Sequence, residues 1–95
     1  MEKNINIKNV IKKRINDSFK PYLLEIVDES KYHKNHLKSR SMETHFSVTI
    51  VSDIFCGRSK LSRHRMVYNL MLDLISKKLH ALQINTYTRD EYLKK

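Results

Sequence analysis

The sequence predicts an α+β fold in which a three-stranded mixed sheet carries helices on one face. Three observations lead there. Apolar residues recur at helical spacing over residues 7–19 and again over residues 61–78. Residues 44–51 alternate strictly between two faces, as a half-buried strand does. Two shorter runs, residues 22–27 and 79–87, read as strands from their apolar and β-branched content.

Ile7, Val10, Ile11, Ile15 and Phe19 form one stripe of an amphipathic helix. Pro21 cannot continue it and pushes the preceding residue out of the helical region, so the helix should end near Phe19 or Lys20. "YLLEIV" follows as a strand, closed by an acidic turn at Asp28, Glu29 and Ser30. Residues 31–42 are polar, basic and aperiodic, and are expected to form a loop. In the next strand Thr44, Phe46, Val48 and Ile50 share one face, and His45, Ser47, Thr49 and Val51 the other. It should pair antiparallel with the first strand.

Gly57, the only glycine, marks the exit from that strand, where a positive φ or a close approach is expected. Ser59 or Ser62 can cap the main helix. Leu61, His64, Val67, Met71, Leu74, Ile75 and Lys78 fall on one face, with Leu70 beside it, so this helix should run to about Lys78. Lys77 and Lys78 suit its negative end. The third strand turns Leu82 and Ile84 inward. Thr88 can cap a last short helix through Leu93, with Asp90 and Glu91 in its first turn.

The chain of 95 residues argues for one small domain over residues 1–95. No apolar run approaches the ~18–20 residues that span a bilayer. Residues 3–13 are too polar for a secretory signal. The single cysteine excludes an internal disulfide framework and a CxxC zinc site. A cytoplasmic protein without a membrane partner, monomeric when isolated, is therefore expected. Nineteen Lys and Arg against 10 Asp and Glu give a formal charge of +9. That suggests an anionic partner, with a merely solvated basic surface as the alternative.

The charge concentrates where it should cost most. Arg58, Lys60, Arg63, His64 and Arg65 crowd the start of the main helix, whose end carries partial positive charge. A cation there costs roughly 0.3–1 kcal/mol when exposed. Three answers are open. The segment can receive a carboxylate of a protein or thiol partner, or a DNA phosphate. Alternatively, Arg63 or Arg65 pairs internally with Asp53, Glu43 or Glu29.

"LEIVDES", "ETHFSVTIVSDIFCG", "LSRHRMVYNL", "LHAL" and "TYTRDEY" stand in the order and approximate spacing of the BolA family, which the chain resembles from about Ile7 to Tyr92. "DES…H", "VSDIF" and "RHRMVY" place it nearest the bacterial branch. The chain departs from the family in a longer loop over residues 31–42, without its usual Gly and Pro. Arg89 and Tyr92 stand where Pro and Trp are usual. The resemblance implies a class II KH-like fold with a helix-turn-helix-like element and the order αββααβα. It also implies a non-enzymatic adaptor that pairs with a monothiol glutaredoxin and shares a bridging [2Fe–2S] cluster with it and glutathione. No cofactor is expected tightly bound to the isolated chain. Some bacterial members are transcription regulators of stress response and cell shape, so DNA binding through the basic segment is the alternative.

His80 matches the family's cluster-binding histidine in "HAL". An imidazole can replace a thiolate on one iron, which raises the potential and makes ligation pH-sensitive. His33, three residues after "DES", matches the loop histidine and becomes the second ligand. His36 is a weaker candidate in the same loop. Read without the family, His80 is a half-buried histidine bonding a nearby carbonyl, and His33 and His36 are solvated loop histidines. His64 reads first as a packed residue of the apolar stripe, and second as a partner contact. His45 reads as a surface or cross-strand residue. Cys56 is not a ligand position of the family and reads as a small apolar filler. No Ser/His/Asp or paired-carboxylate arrangement argues for an enzyme.

Overall fold

A computed structural model of the chain describes residues 6–29, 45–77 and 81–95. Asn6 caps the first helix, α1 (Ile7–Phe19), by accepting from the Asn9 N–H, and Ile11, Ile15 and Phe19 are buried along its inner stripe. Lys20 ends it in the left-handed region at φ 43°, directly before Pro21. The chain then enters β1 (Leu23–Asp28), which starts and ends one residue later than the sequence suggests. Strand β2 (His45–Val51) pairs antiparallel with β1, with Leu24 opposite Ile50 and Ile26 opposite Val48. Strand β3 (Ala81–Tyr87) pairs parallel with β2, with Leu82 opposite Phe46 and Ile84 opposite Val48. The sheet order is β1-β2-β3, so β1 and β3 are its edges.

Phe46, Val48 and Ile50 of β2 pack against Ile11, Ile15 and Phe19 of α1 and against Val67, Met71 and Leu74. This single core lies between the sheet and the helices. At the exit of β2, Ser52 caps a one-turn 3-10 helix, Asp53–Phe55, and its hydroxyl donates to the Phe19 carbonyl at 2.8 Å. Phe55 is fully buried, with its ring centroid 5.3 Å from that of Phe19. Gly57 has φ 75°, the positive value anticipated for it. Cys56 between them is exposed, not a core filler. The turn sends Phe55 inward and leaves its neighbour facing solvent.

The main helix is two helices, α2 (Lys60–Leu70) and α3 (Leu72–Lys77), which completes the order αββααβα. The Met71 N–H bonds to the Tyr68 carbonyl, an i→i+3 step that leaves the α ladder, and the Met71 carbonyl then accepts from Leu74 and Ile75. Apolar spacing does not register such a switch, because Val67, Met71 and Leu74 stay buried across it. The buried stripe is also displaced. It runs through Arg63, Val67, Met71 and Leu74, with Met66 and Leu70 flanking. Leu61 is 59% exposed, and His64 faces out rather than into the core. An arginine occupies the position that hydrophobicity alone gives to its neighbours.

The last helix, α4 (Arg89–Lys94), is held by a full capping box. Thr88 accepts from the Glu91 N–H, and the Glu91 carboxylate accepts from the Thr88 N–H.

Candidate functional site

Ser59 caps α2 by accepting from the Ser62 N–H at 3.1 Å. One turn in, Arg63 is buried, its side chain 5% exposed. Its guanidinium donates to both Glu91 carboxylate oxygens, at 2.7 and 3.1 Å, and its Nε donates to the Arg58 carbonyl at 2.9 Å. The planar fork thus joins the start of α2 to the start of α4. Lys60 donates to the Thr86 carbonyl at 2.6 Å, lies 4.8 Å from the Tyr87 ring centroid and reaches Glu91 at 4.0 Å. Glu91 is therefore the counter-charge that makes a basic helix start tolerable. The Arg63 hydrogen bonds, then the Thr88 N–H, pull its carboxyl down from 4.5 to about 2.

The internal ion-pair reading holds for Arg63, but with another partner. Asp53 pairs with Arg89 at 3.4 Å, Glu43 lies outside the described residues, and Glu91 takes Arg63. Arg63 leaves the set of outward anion-binding residues, because a buried guanidinium satisfied on both forks has nothing to offer a phosphate. Arg65 is exposed and has no ion-pair partner among the described residues. Arg58 is exposed and donates to the Ile54 carbonyl at 3.3 Å. His64 stacks on Tyr68 with centroids 6.0 Å apart. Lys60 and His64 line a small groove of about 250 Å³ beside Ile84, Asn85, Thr86 and Tyr87 of β3.

His80, His33 and His36 lie outside the described residues. The described strands set the covalent anchors of their segments. The Glu29 N–H donates to the His45 carbonyl at 2.8 Å, and His45 stands opposite Ala81 in the β2–β3 register. Glu29 and His45 flank residues 30–44, and Ala81 directly follows His80. The attachment points of both histidine-bearing segments therefore meet at one end of the sheet. His45 itself is half-buried, on the sheet face away from the core. Among the described residues, no three His, Cys, Asp or Glu side chains converge as a metal cluster would require.

Sequence reasoning missed two residues that tie the helices together. Glu91 was legible only as a favourable first-turn acid. The spacing of Thr88 and Glu91 signals the capping box, but nothing local signals Arg63, 28 residues away. Arg14 was the second. Its fork donates to Asp73 at 2.7 and 3.0 Å and to the Leu70 carbonyl at 2.9 Å, tying α1 to the α2–α3 junction. The hydrogen bonds from Arg14 hold the Asp73 carboxyl at about 2, down from 3.8.

Residues 15–91 match the family model of BolA-like proteins. The chain belongs to the BolA-like family. It is 40% identical over 86 residues to the DNA-binding transcriptional regulator BolA of Vibrio cholerae, covering 90% of this chain and 78% of that protein. The Escherichia coli protein of the same name is 41% identical over 86 residues, covering 90% and 79%. Among solved structures, BolA1 from Arabidopsis thaliana superposes with a TM-score of 0.80 at 33% identity, covering 93% of this chain and 98% of that one. The BolA domain of SufE1 from the same plant also gives 0.80, at 35% identity, covering 94% and 99%. The α+β, three-stranded mixed-sheet architecture is thus that of BolA-like proteins, and no described helix is long and apolar enough to cross a membrane.

Proposed function

We propose that this BolA-like chain is an iron–sulfur adaptor that pairs with a monothiol glutaredoxin and shares a [2Fe–2S] cluster with it. The supporting observation is the meeting of Glu29, His45 and Ala81, which brings the anchors of the two histidine-bearing segments to one end of the sheet. His80 and His33 are the ligands assigned to this chain, with His36 as the substitute for His33. The cluster supplies a redox-active group that thiolates of glutaredoxin and glutathione hold on the other side. This chain's own part is to offer two imidazoles, one from the residue before β3 and one from the residues between β1 and β2. Imidazole nitrogens bind metal only when deprotonated, so ligation weakens as pH falls through about 6.5. The adaptor then redirects a cluster that glutaredoxin would otherwise hold as a homodimer, in the service of stress response and cell shape.

Anaerobic reconstitution with a monothiol glutaredoxin and glutathione tests this, read by visible absorption and circular dichroism. A heterodimer spectrum that His80→Ala or His33→Ala alters is expected. Spectra identical to those of glutaredoxin alone would refute the proposal.

DNA binding is the second reading, favoured by the exposure of Arg58 just before α2 and of His64 and Arg65 on it, and by the similarity to two bacterial DNA-binding transcriptional regulators. With Arg63 held internally, Arg58, Lys60 and Arg65 remain as cations for phosphates, so log affinity should fall with log salt at a slope of about −2.7.

A further inference from the structure

The two edges of the sheet are finished differently. At the β3 edge, Tyr87 turns its carbonyl toward Ser52, so Thr86 turns its own outward, where the Lys60 ammonium covers it. A lysine on an outward carbonyl is one way a protein blocks strand addition. At the β1 edge the Glu29–His45 hydrogen bond fixes the parity. Residues 23, 25 and 27 turn their backbone groups toward β2, and Leu24 and Ile26 turn theirs off the sheet. Among the described residues nothing takes them up.

This edge forms the floor of a groove of about 460 Å³, whose wall is the outer row of α1: Lys8, Lys12 and Asn16. The half-buried Leu24 and Ile26 side chains face the same way as the wall, toward the core. Lys13, on the next row, has Asp17 at 3.0 Å. Lys8 and Lys12 have no carboxylate within ion-pair distance among the described residues. Glu25, on the far rim, turns to the other face of the sheet. Among the described residues, the groove therefore combines unpaired peptide groups with two uncompensated ammonium groups on one side.

We propose that the β1–α1 groove takes an extended acidic peptide segment of a partner protein as a fourth strand. The spacing favours this occupant. Lys8 and Lys12 are separated by about 6 Å along the helix, and alternate residues of a strand by about 6.7 Å. Carboxylates at positions i and i+2 of an added strand thus meet the two ammonium groups in register, while its backbone pairs with Leu24 and Ile26. A nucleic acid offers phosphates but no alternating donors and acceptors for the strand edge. The site uses none of the basic residues at the start of α2 and none of the three candidate ligand histidines, so it does not depend on the cluster reading.

The probe is a fluorescent eight-residue peptide of alternating Glu and Val, titrated onto the full chain by anisotropy, with amide exchange followed by NMR. Expected results are slow exchange at the Leu24 and Ile26 amides only when peptide is bound, and at least a tenfold weaker affinity for Lys8→Glu/Lys12→Glu. An alternately N-methylated peptide of the same composition should not bind, and Arg65→Glu should leave binding unchanged. Four results would each overturn the proposal: protection of those two amides in the free chain, equal binding of the N-methylated peptide, loss of binding in Arg65→Glu alone, or no binding at all. Tighter capture of a single-stranded oligonucleotide at the same lysines would also overturn it.

Discussion

At the start of α2, Arg63 is buried against Glu91 and Lys60 bonds to the Thr86 carbonyl; along the outer row of α1, Lys8 and Lys12 meet no carboxylate among the described residues. In sequence the two regions look alike, both dense in Lys and Arg on an amphipathic helix. In the fold the first holds helices α2 and α4 and strand β3 together, and the second leaves its charge without an acidic partner among the described residues. A count of positive charges therefore says little about where an anion binds. What decides is whether an acid elsewhere in the chain has already taken the cation.

The sharpest way to break this contrast is to remove the buried arginine. Arg63→Ala takes away a fork bound to Glu91 and the bond to the Arg58 carbonyl, and leaves a void beside Phe55. A loss of about 2–3 kcal/mol is expected, less than for a fully buried pair because Glu91 can rehydrate. That corresponds to a fall in Tm of roughly 10–20 °C for a chain of this size. A fall of under two or three degrees would mean that the fork adds nothing.

Acid titration comes next. Glu91 and Asp73 both have folded values near 2, below the ordinary 4.5 and 3.8 of their carboxyls. Their contribution is fully present above about pH 4.5 and lost as pH falls toward about 2. Stability measured by urea unfolding should decline over that window, and Glu91→Gln should flatten the decline. An unchanged slope in that variant would remove Glu91 from the account.

A smaller effect separates the exposed cations of α2 from the buried one. On duplex DNA, Arg65→Ala should reduce the salt slope by about 0.9, the signature of one phosphate contact. The smallest effect belongs to α1. Lys8→Ala/Lys12→Ala should shift stability by no more than about 0.5 kcal/mol in either direction, because neither lysine holds the fold. A large loss there would show that the row is structural after all.

Much of the fold was legible because it follows local periodicity. The stripe of α1, the alternation of β2, the break at Pro21, the positive φ of Gly57 and the cap at Thr88 each depend on a few neighbouring residues. What escaped depends on distant partners. His64 and Leu61 both fit the spacing of the core stripe, yet the buried position goes to Arg63. Only Glu91, brought in by α4, makes that burial affordable. The break at Met71 escaped for a related reason, since a hydrogen-bond switch need not disturb the apolar pattern. The three candidate ligands, His80, His33 and His36, came from family resemblance, and the described strands bear only on where their segments are anchored.

The most direct test of the adaptor reading is to ask whether a nitrogen of this chain sits on iron. The chain, labelled with 15N-histidine, is reconstituted anaerobically with unlabelled glutaredoxin and glutathione. The cluster is then reduced and examined by pulsed electron paramagnetic resonance. The account predicts 15N hyperfine couplings of directly bound imidazole, reduced in His80→Ala. A reduced cluster in the heterodimer with no 15N coupling would contradict it.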